Sequence, residues 1–213
     1  MTRLVWDMDG TLLDSTHVVP EAFVATVREL GVDDVDHERV VAAYSLGVPE
    51  VMLEHLVGRP LSDAEVGLYY DRLLGSSVTA YAGVLETLRA LRARGLPIVI
   101  FTGASTRAAR TLLASAGITY DVLVGGDQVA RPKPAPDGLL EAARRLAVDP
   151  ADLVYIGDAP TDLRAARSAG ARGAAATWGH LYRADEPADV HLLEPADALD
   201  LLAARGPHPD DRR

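Results

Sequence analysis

Two aspartates, Asp7 and Asp9, follow a short apolar run near the start of the chain and are succeeded by Gly10. Side chains two positions apart on a strand point to the same side, so both carboxyl groups are expected at the strand end. Like charges this close need a cation between them, unless one group keeps its proton. The pair is therefore suited to nucleophilic or acid–base chemistry, although Asp-Gly is also a common hairpin signal.

The elements that must position these residues alternate between strand and helix. Apolar runs predict five strands, at 4–6, 98–101, 122–124, 154–156 and 174–176. Amphipathic stretches between the later strands predict helices, most of which end at a glycine. This order is typical of an α/β fold with a doubly wound parallel sheet covered on both faces. Ligands bind such sheets beyond the carboxyl ends of the strands, where Asp7, Thr102 and Asp158 are expected.

The segment 15–79 breaks the alternation because it contains helical patterns only. We expect it to form an inserted α-helical cap, hinged at its two ends and lying over the strand ends. In the alternative, these helices only pack beside the sheet. Residues 1–14 and 80–205 are expected to form the catalytic core, and the segment 206–213, which has no apolar residue except proline, a disordered tail.

Composition narrows the classes of partner. Hydrophobic residues make up 48% of the 213-residue chain, enough for a sizeable core, and the net charge of −10 argues against nucleic-acid or anionic membrane surfaces. The absence of cysteine excludes disulfides and thiolate chemistry and fits a reducing compartment. With no long apolar stretch, we expect a cytoplasmic monomer or homodimer that acts on a small molecule.

Four short motifs occur in order, each near the end of a predicted strand or in the following loop. They are Asp7-x-Asp9-Gly10-Thr11, Thr102-Gly103, Lys133-Pro134 and Gly157-Asp158-x-x-x-Asp162. The set resembles the motifs of the haloacid dehalogenase superfamily of phosphohydrolases, and the resemblance covers nearly the whole chain. It implies a Rossmann-like core, and the inserted helices look like the small α-helical cap of that family.

The resemblance implies a role for each matching aspartate. Asp7 would be the nucleophile that forms an aspartyl-phosphate, and Asp9 would be the general acid for the leaving alkoxide and then the base for water. Mg²⁺ would be held by Asp7, by Asp158 and by the backbone carbonyl of Asp9, with Asp162 orienting a metal-bound water. Halide-displacing members of the superfamily lack an acid at the position of Asp9, so its presence predicts phosphoryl transfer.

The other motif residues would handle the phosphate. Lys133 would offset the repulsion between an anionic nucleophile and an anionic phosphate. The Thr102 hydroxyl and the Gly103 amide would hold phosphoryl oxygens, helped by the partial positive charge of the next helix N-terminus. The expected catalytic set is therefore Asp7, Asp9, Thr102 and Lys133.

Longer strings around these motifs, together with Thr177-Trp178-Gly179-His180, are similar to the phosphoglycolate phosphatase-like group. This similarity implies a small phosphomonoester substrate: phosphoglycolate, a sugar phosphate or a nucleotide. The stretch 103–106 departs from the usual pattern of the group, in which Asn and Lys are common. In the cap, the candidates for substrate selection are His17, Tyr44, Ser45 and Gly47.

Three alternatives remain at this point. A phosphomutase of the β-phosphoglucomutase type would share Asp7 and Asp9, but it needs basic residues in the cap, where 16–74 offers four arginines and no lysine. A non-enzymatic phosphorylation switch that resembles a response-regulator receiver needs only about 120 residues and no cap. A binding protein without activity would be expected to lack part of the motif set, yet the set is complete.

Overall fold

The computed structural model describes residues 2–202; the predicted tail at 206–213 lies outside the described residues. The strands are β1 (Arg3–Trp6), β2 (Leu13–Asp14), β3 (Thr79–Ala80), β4 (Val99–Phe101), β5 (Val122–Val124), β6 (Leu153–Gly157), β7 (Arg172–Ala176) and β8 (Val190–Leu192). The helices are α1 (Val18–Glu29), α2 (His37–Ala43), α3 (Pro49–Val57), α4 (Asp63–Gly75), α5 (Val84–Ala93), α6 (Thr106–Ser115), α7 (Asp137–Leu146) and α8 (Pro160–Ala169). Within residues 2–202, no helix is both long and apolar enough to cross a membrane.

Six strands form one parallel sheet in the order β5-β4-β1-β6-β7-β8. The strand order reverses on either side of β1, as in doubly wound folds. All five predicted strands are present, and the predicted α/β class is confirmed. The sequence reading missed β8 at the sheet edge and the short pair β2–β3.

Side chains alternate between the two faces of the sheet along its central strands, and helices cover both faces. Val5 and Tyr155 belong to an apolar cluster with α7 and α8. Leu4, Trp6 and Ile156 belong to the opposite cluster, which includes α5 and α6 and continues into α1–α4. Trp6 is only 1% exposed, and full burial of a large apolar side chain stabilises a fold by about 1.5–3 kcal/mol. Packing on both faces therefore holds the sheet, and with it the strand ends, in place.

Four helices, α1–α4, lie between β2 and β3. These two strands pair antiparallel, with Leu13 opposite Ala80 and Asp14 opposite Thr79. The capping box expected at α4 is present, since the Ser62 side chain accepts from the Glu65 amide and Glu65 bonds back to Ser62. We keep the names core and cap for the two predicted parts of the chain; the division at 15–79 stays a prediction.

The cap contacts the core at the start of α6. The Tyr70 hydroxyl of α4 lies 2.7 Å from Ser105 Oγ and also donates to the carboxylate of Glu50 in α3. The Arg107 guanidinium sits 4.0 Å from the centre of the Tyr70 ring, a cation–π arrangement. Ser105 in turn accepts from the Ala108 amide and caps α6. The start of α6 therefore contacts α4 directly and is linked to α3 through Tyr70.

Candidate active site

Three predicted site residues follow three neighbouring strands of the sheet. Asp7 follows β1, Thr102 follows β4 and Asp158 follows β6, and β1 lies between the other two strands. Strand pairing holds the backbone here, because the Asp7 amide donates to Ile156 O at 2.8 Å and the Thr102 amide to Val124 O at 3.0 Å. All three residues are at most 3% exposed. The carboxyl edge of the sheet therefore carries a buried polar cluster.

Lys133 reaches this cluster from the loop before α7. Its Nζ donates to Asp7 Oδ1 at 2.8 Å and to Asp162 Oδ1 at 2.6 Å. Burial alone would lower the pKa of Lys133, but the carboxylates of Asp162 and Asp7 raise it above its ordinary value. The ammonium therefore stays charged between the two acids, although its side chain is only 13% exposed.

The acidic groups outnumber this cation. Ligand oxygens of Asp7, Asp158 and Asp162 all lie within 4.8 Å of one another. Burial and the neighbouring Asp162 raise the pKa of Asp7 well above its ordinary value and that of Asp158 to about 7. The contribution of Asp162 to both shifts reflects negative charge that Lys133 does not fully offset, and the all-oxygen donor set suits a hard divalent cation. The residues present therefore fit a divalent metal ion.

Asp162 differs from Asp7 because both its oxygens have partners. Its Oδ1 accepts from Lys133, and its Oδ2 accepts from the Ala159 amide at 3.0 Å. At Asp7 the side-chain donors Lys133 and Tyr155 both contact Oδ1. Among the described residues, this leaves Oδ2 of Asp7 for a reacting phosphorus or a cation.

Asp158 is held between two glycines. Its Oδ2 accepts from the Leu181 amide at 2.8 Å, and Thr11 Oγ1 lies 3.5 Å from its Oδ1. A Cβ atom on Gly10 would overlap the Asp158 carboxylate, and one on Gly179 would overlap its Cβ. Glycine at both positions gives the carboxylate its place beside Asp7.

Asp9 lies in a tight turn and not on the strand as expected, since β1 ends at Trp6. The Met8 carbonyl accepts from the amides of Leu12 and Leu13, both at 2.9 Å, and Gly10 has a φ of +80°. Asp9 Oδ1 is buried with no hydrogen-bond partner among the described residues. Burial raises the pKa of Asp9 against the opposing effect of a Ser15 hydrogen bond. The turn thus places the Asp9 carboxyl group where burial favours its protonated form more than water does.

Thr102 and Gly103 complete the polar wall. Thr102 Oγ1 accepts from the Ala104 amide at 3.1 Å, so its own hydroxyl hydrogen is available to a ligand. Both residues line the same cavity as Asp7, Asp9 and Lys133, of about 370 Å³. This volume falls within the range of about 300–1,000 Å³ found for small-molecule sites.

The cap residues chosen from the sequence divide into two groups. Tyr44, Ser45 and Gly47 line the cavity. His17 does not line it: the residue is exposed at the start of α1, with its ring centre 6.4 Å from that of His37. A role of His17 in substrate selection stays a prediction.

Comparison with protein families identifies the family to which the chain belongs. The sequence model described as "haloacid dehalogenase-like hydrolase" matches residues 1–170. The chain belongs to the haloacid dehalogenase-like hydrolases. The family membership, the fold and the hydrolase class expected from the motifs are thereby confirmed.

Individual haloacid dehalogenase-like relatives agree with this placement. The phosphoglycolate phosphatase of Chromobacterium violaceum is 29% identical over 93% of this chain and 95% of its own length. That of Nitrosospira multiformis is 32% identical over 91% of this chain and 88% of its own length. The structure of CbbY from Rhodobacter sphaeroides with phosphate superposes with a TM-score of 0.78, at 25% identity over 92% of this chain and 96% of that chain. The resemblance to the phosphoglycolate phosphatase-like group is confirmed.

Sequence reasoning missed one residue of this hydrolase's site, Tyr155. Its hydroxyl donates to Phe101 O at 2.9 Å and lies 3.4 Å from Lys133 Nζ, Asp7 Oδ1 and Asp162 Oδ1. Burial and the two acids raise the pKa of Tyr155, so the hydroxyl stays protonated. The available signal was a polar-tipped aromatic residue two positions before Gly157 in a strand that leads into a motif.

Replacing Gly10 with alanine should lower the activity of the hydrolase far more than the strain of a positive φ alone would explain. The new Cβ would displace the Asp158 carboxylate, and we expect kcat/KM to fall about 100-fold. Gly58→Ala is the matched control, because Gly58 has a nearly identical φ of +79° and, among the described residues, no neighbouring atom within 4 Å of the position that a Cβ would take. It should lose about 1 kcal/mol of stability and no activity. Steady-state kinetics and thermal melts compare the two; equal kinetic effects would contradict the assignment.

Proposed function

We propose that this hydrolase is a Mg²⁺-dependent phosphatase that cleaves a small phosphomonoester through a phosphorylated Asp7. The observation that carries the proposal is the position of Lys133, with its Nζ 2.8 Å from Asp7 and 2.6 Å from Asp162, in a cavity that Asp9 also lines. The names of the curated relatives support phosphate-ester hydrolysis.

Asp7 would attack the phosphorus atom with its Oδ2, because Oδ1 is held by Lys133. A new bond forms between that oxygen and phosphorus while the ester P–O bond breaks. The fixed Oδ1 restrains rotation of the carboxylate, which favours in-line attack.

Asp9 would give its proton to the departing alcohol oxygen. Its raised pKa favours the protonated form that this step needs. The resulting carboxylate would then take a proton from water, whose oxygen attacks the phosphorus atom and releases Asp7 and inorganic phosphate. The proton thus returns to Asp9, and the cycle closes with one water consumed.

Thr102, Gly103 and Lys133 would bind the phosphoryl oxygens. The Lys133 ammonium offsets the repulsion between the Asp7 carboxylate and the phosphate, and the Thr102 hydroxyl donates a hydrogen bond. Asp162 acts indirectly, since its contact with Lys133 positions the ammonium.

Asp7, Asp158 and the backbone carbonyl of Asp9 would hold Mg²⁺. A bound divalent ion would neutralise negative charge on the carboxylates and on the phosphoryl oxygens. The buried acidic cluster with raised pKa values supports this assignment. Asp162 is not included because its Oδ1 is paired with the Lys133 ammonium and its Oδ2 with the Ala159 amide, whereas Asp158 Oδ1 has only the 3.5 Å contact with Thr11.

The proposal is tested by phosphate release from phosphoglycolate, sugar phosphates, nucleotides and simple alkyl phosphates. With Mg²⁺ present, we expect turnover of at least one of these esters. Removal of the ion with EDTA should lower the rate at least about 100-fold, and added Mg²⁺ should restore it. Hydrolysis that persists unchanged in EDTA would contradict the metal assignment, and no phosphate release from any ester would contradict the proposed activity.

A further inference from the structure

The cavity has two unlike sides. The core side carries Asp7, Asp9, Thr102 and Lys133, which belong to the proposed reaction. The cap side is formed largely by Val19, Phe23, Val41, Tyr44, Met52 and Tyr69. No cap residue that lines the cavity within the described chain carries a formal charge at neutral pH. The alcohol half of a substrate would face this apolar side.

The basic residues of the cap bond elsewhere. Arg28 donates to the Val35 carbonyl, Arg39 to Asp34, Arg59 to Glu65 and Arg72 to Glu29. None of these four arginines lines the cavity. A carboxylate or second phosphate on the alcohol would therefore enter the cap side without a cation, and an unpaired charge in such a site carries a large desolvation cost.

The core offers little compensation for a second anion. Lys133 is held by two acids, and burial lowers the pKa of His180, which favours its neutral form. Arg183 lines the cavity, but it is exposed and its Nη1 donates to the Tyr182 carbonyl at 3.0 Å. An exposed cation is screened by water and attracts a carboxylate only weakly.

Aromatic rings form part of the wall on the cap side. The ring centres of Phe23 and Tyr69 are 4.4 Å apart, and both residues are only 1% exposed. Burial and the nearby Asp9 raise the pKa values of Tyr44 and Tyr69, so both phenol groups stay neutral. The wall can therefore contact an apolar group and still offer hydroxyl groups near the oxygen that Asp9 would protonate.

We propose that the cap side binds an uncharged, mainly apolar alcohol group, so that the preferred substrate is the phosphate monoester of an aryl-bearing or branched alkyl alcohol. This inference rests on the proposed phosphatase activity and narrows its substrate. It departs from phosphoglycolate, whose alcohol half, glycolate, carries a carboxylate.

The test compares kcat/KM of the wild-type protein with Mg²⁺ for four alkyl esters. Benzyl phosphate and isobutyl phosphate represent the proposed class, and phosphoglycolate and glucose 6-phosphate represent charged and polyhydroxyl alcohols. All four have alkyl leaving groups, so differences in intrinsic reactivity are small. We expect benzyl phosphate to exceed phosphoglycolate about 100-fold, as burial of an aromatic group in place of an unpaired anion would give.

A pair of variants tests the role of cap charge directly. Val41 lines the cavity from α2 and is 38% exposed, so the fold should accept a polar side chain there. Val41→Lys should shift the ratio of kcat/KM for phosphoglycolate over benzyl phosphate about tenfold towards phosphoglycolate. Val41→Gln has similar polarity without the charge and should not reproduce this shift.

The outcomes separate this inference from the proposed function. Phosphate release with an equal or greater kcat/KM for phosphoglycolate or glucose 6-phosphate would overturn the substrate class and leave the phosphatase activity standing. If the wild type prefers phosphoglycolate and Arg183→Gln loses that preference, Arg183 binds the carboxylate of the substrate. That result would also overturn the proposed substrate class. Release from none of the four esters, nor from a nucleotide, would overturn both.

Discussion

Asp7→Asn is expected to abolish phosphomonoester hydrolysis, with kcat lowered at least about 1,000-fold, while the fold is retained. The amide cannot form the proposed acyl-phosphate bond. The fold should persist because Lys133 keeps Asp162 as a partner at 2.6 Å. Removing one of three clustered carboxylates also relieves repulsion, so the metal-free variant should melt at a temperature equal to or above that of the wild type.

Steady-state phosphate release, thermal melts and mass spectrometry of acid-quenched enzyme check this result. The wild type should show a mass increase of one phosphoryl group during turnover, and the variant should not. Asp14→Asn serves as the control, because this exposed carboxylate of β2 lies outside the cavity lining. It should retain activity. Unchanged turnover in Asp7→Asn would remove the nucleophile assignment.

Lys133→Met is expected to have the second-largest effect on activity. Lys133 is the only lysine in the chain. Its loss leaves the buried Asp7 and Asp162 without their shared ammonium. Breaking a buried ion pair in this way typically costs about 3–5 kcal/mol of stability. With no charge to offset phosphate repulsion, we also expect kcat/KM to fall about 1,000-fold.

Kinetics and denaturant unfolding with and without Mg²⁺ measure both effects. Arg131→Met is a control from the same loop: Arg131 is exposed and pairs with Asp137 in solvent, so its loss should leave stability nearly unchanged. The double variant Lys133→Met/Asp162→Asn should recover part of the stability, since it removes an uncompensated carboxylate. Near-normal activity in Lys133→Met, or no recovery in the double variant, would contradict the assigned arrangement.

The strand ends were the most predictable part of the molecule. Apolar runs that stop at Asp7, Thr102 and Asp158 are read from local sequence, and parallel sheets gather such ends at one edge. The order of the strands is not local information. That β1 lies between β4 and β6, so that the three residues are neighbours at this edge, became visible only in the structure.

The misses have identifiable causes. Strands β2 and β3 have only two residues each, too few to show a pattern, and in β8 the exposed His191 interrupts the apolar run. Asp9 was expected on a strand, but the strand ends at Trp6, and the chain turns at Gly10, which has a φ of +80°. The position of Tyr155 before Gly157 was the only signal in the sequence, because its contact with Asp7 depends on packing between segments that are far apart in the chain.

The pairing of Asp14 with Thr79 across β2 and β3 has a consequence for how new specificities can arise. The segment α1–α4 leaves and re-enters the rest of the chain at these two paired strands, so a change in its length need not alter the pairing of the six-stranded sheet. The residues proposed to react with and bind the phosphoryl group lie outside this segment, whereas most of those proposed to contact the alcohol group lie within it. Exchange of the insert alone could therefore redirect the enzyme to another ester and leave the reacting carboxylates undisturbed.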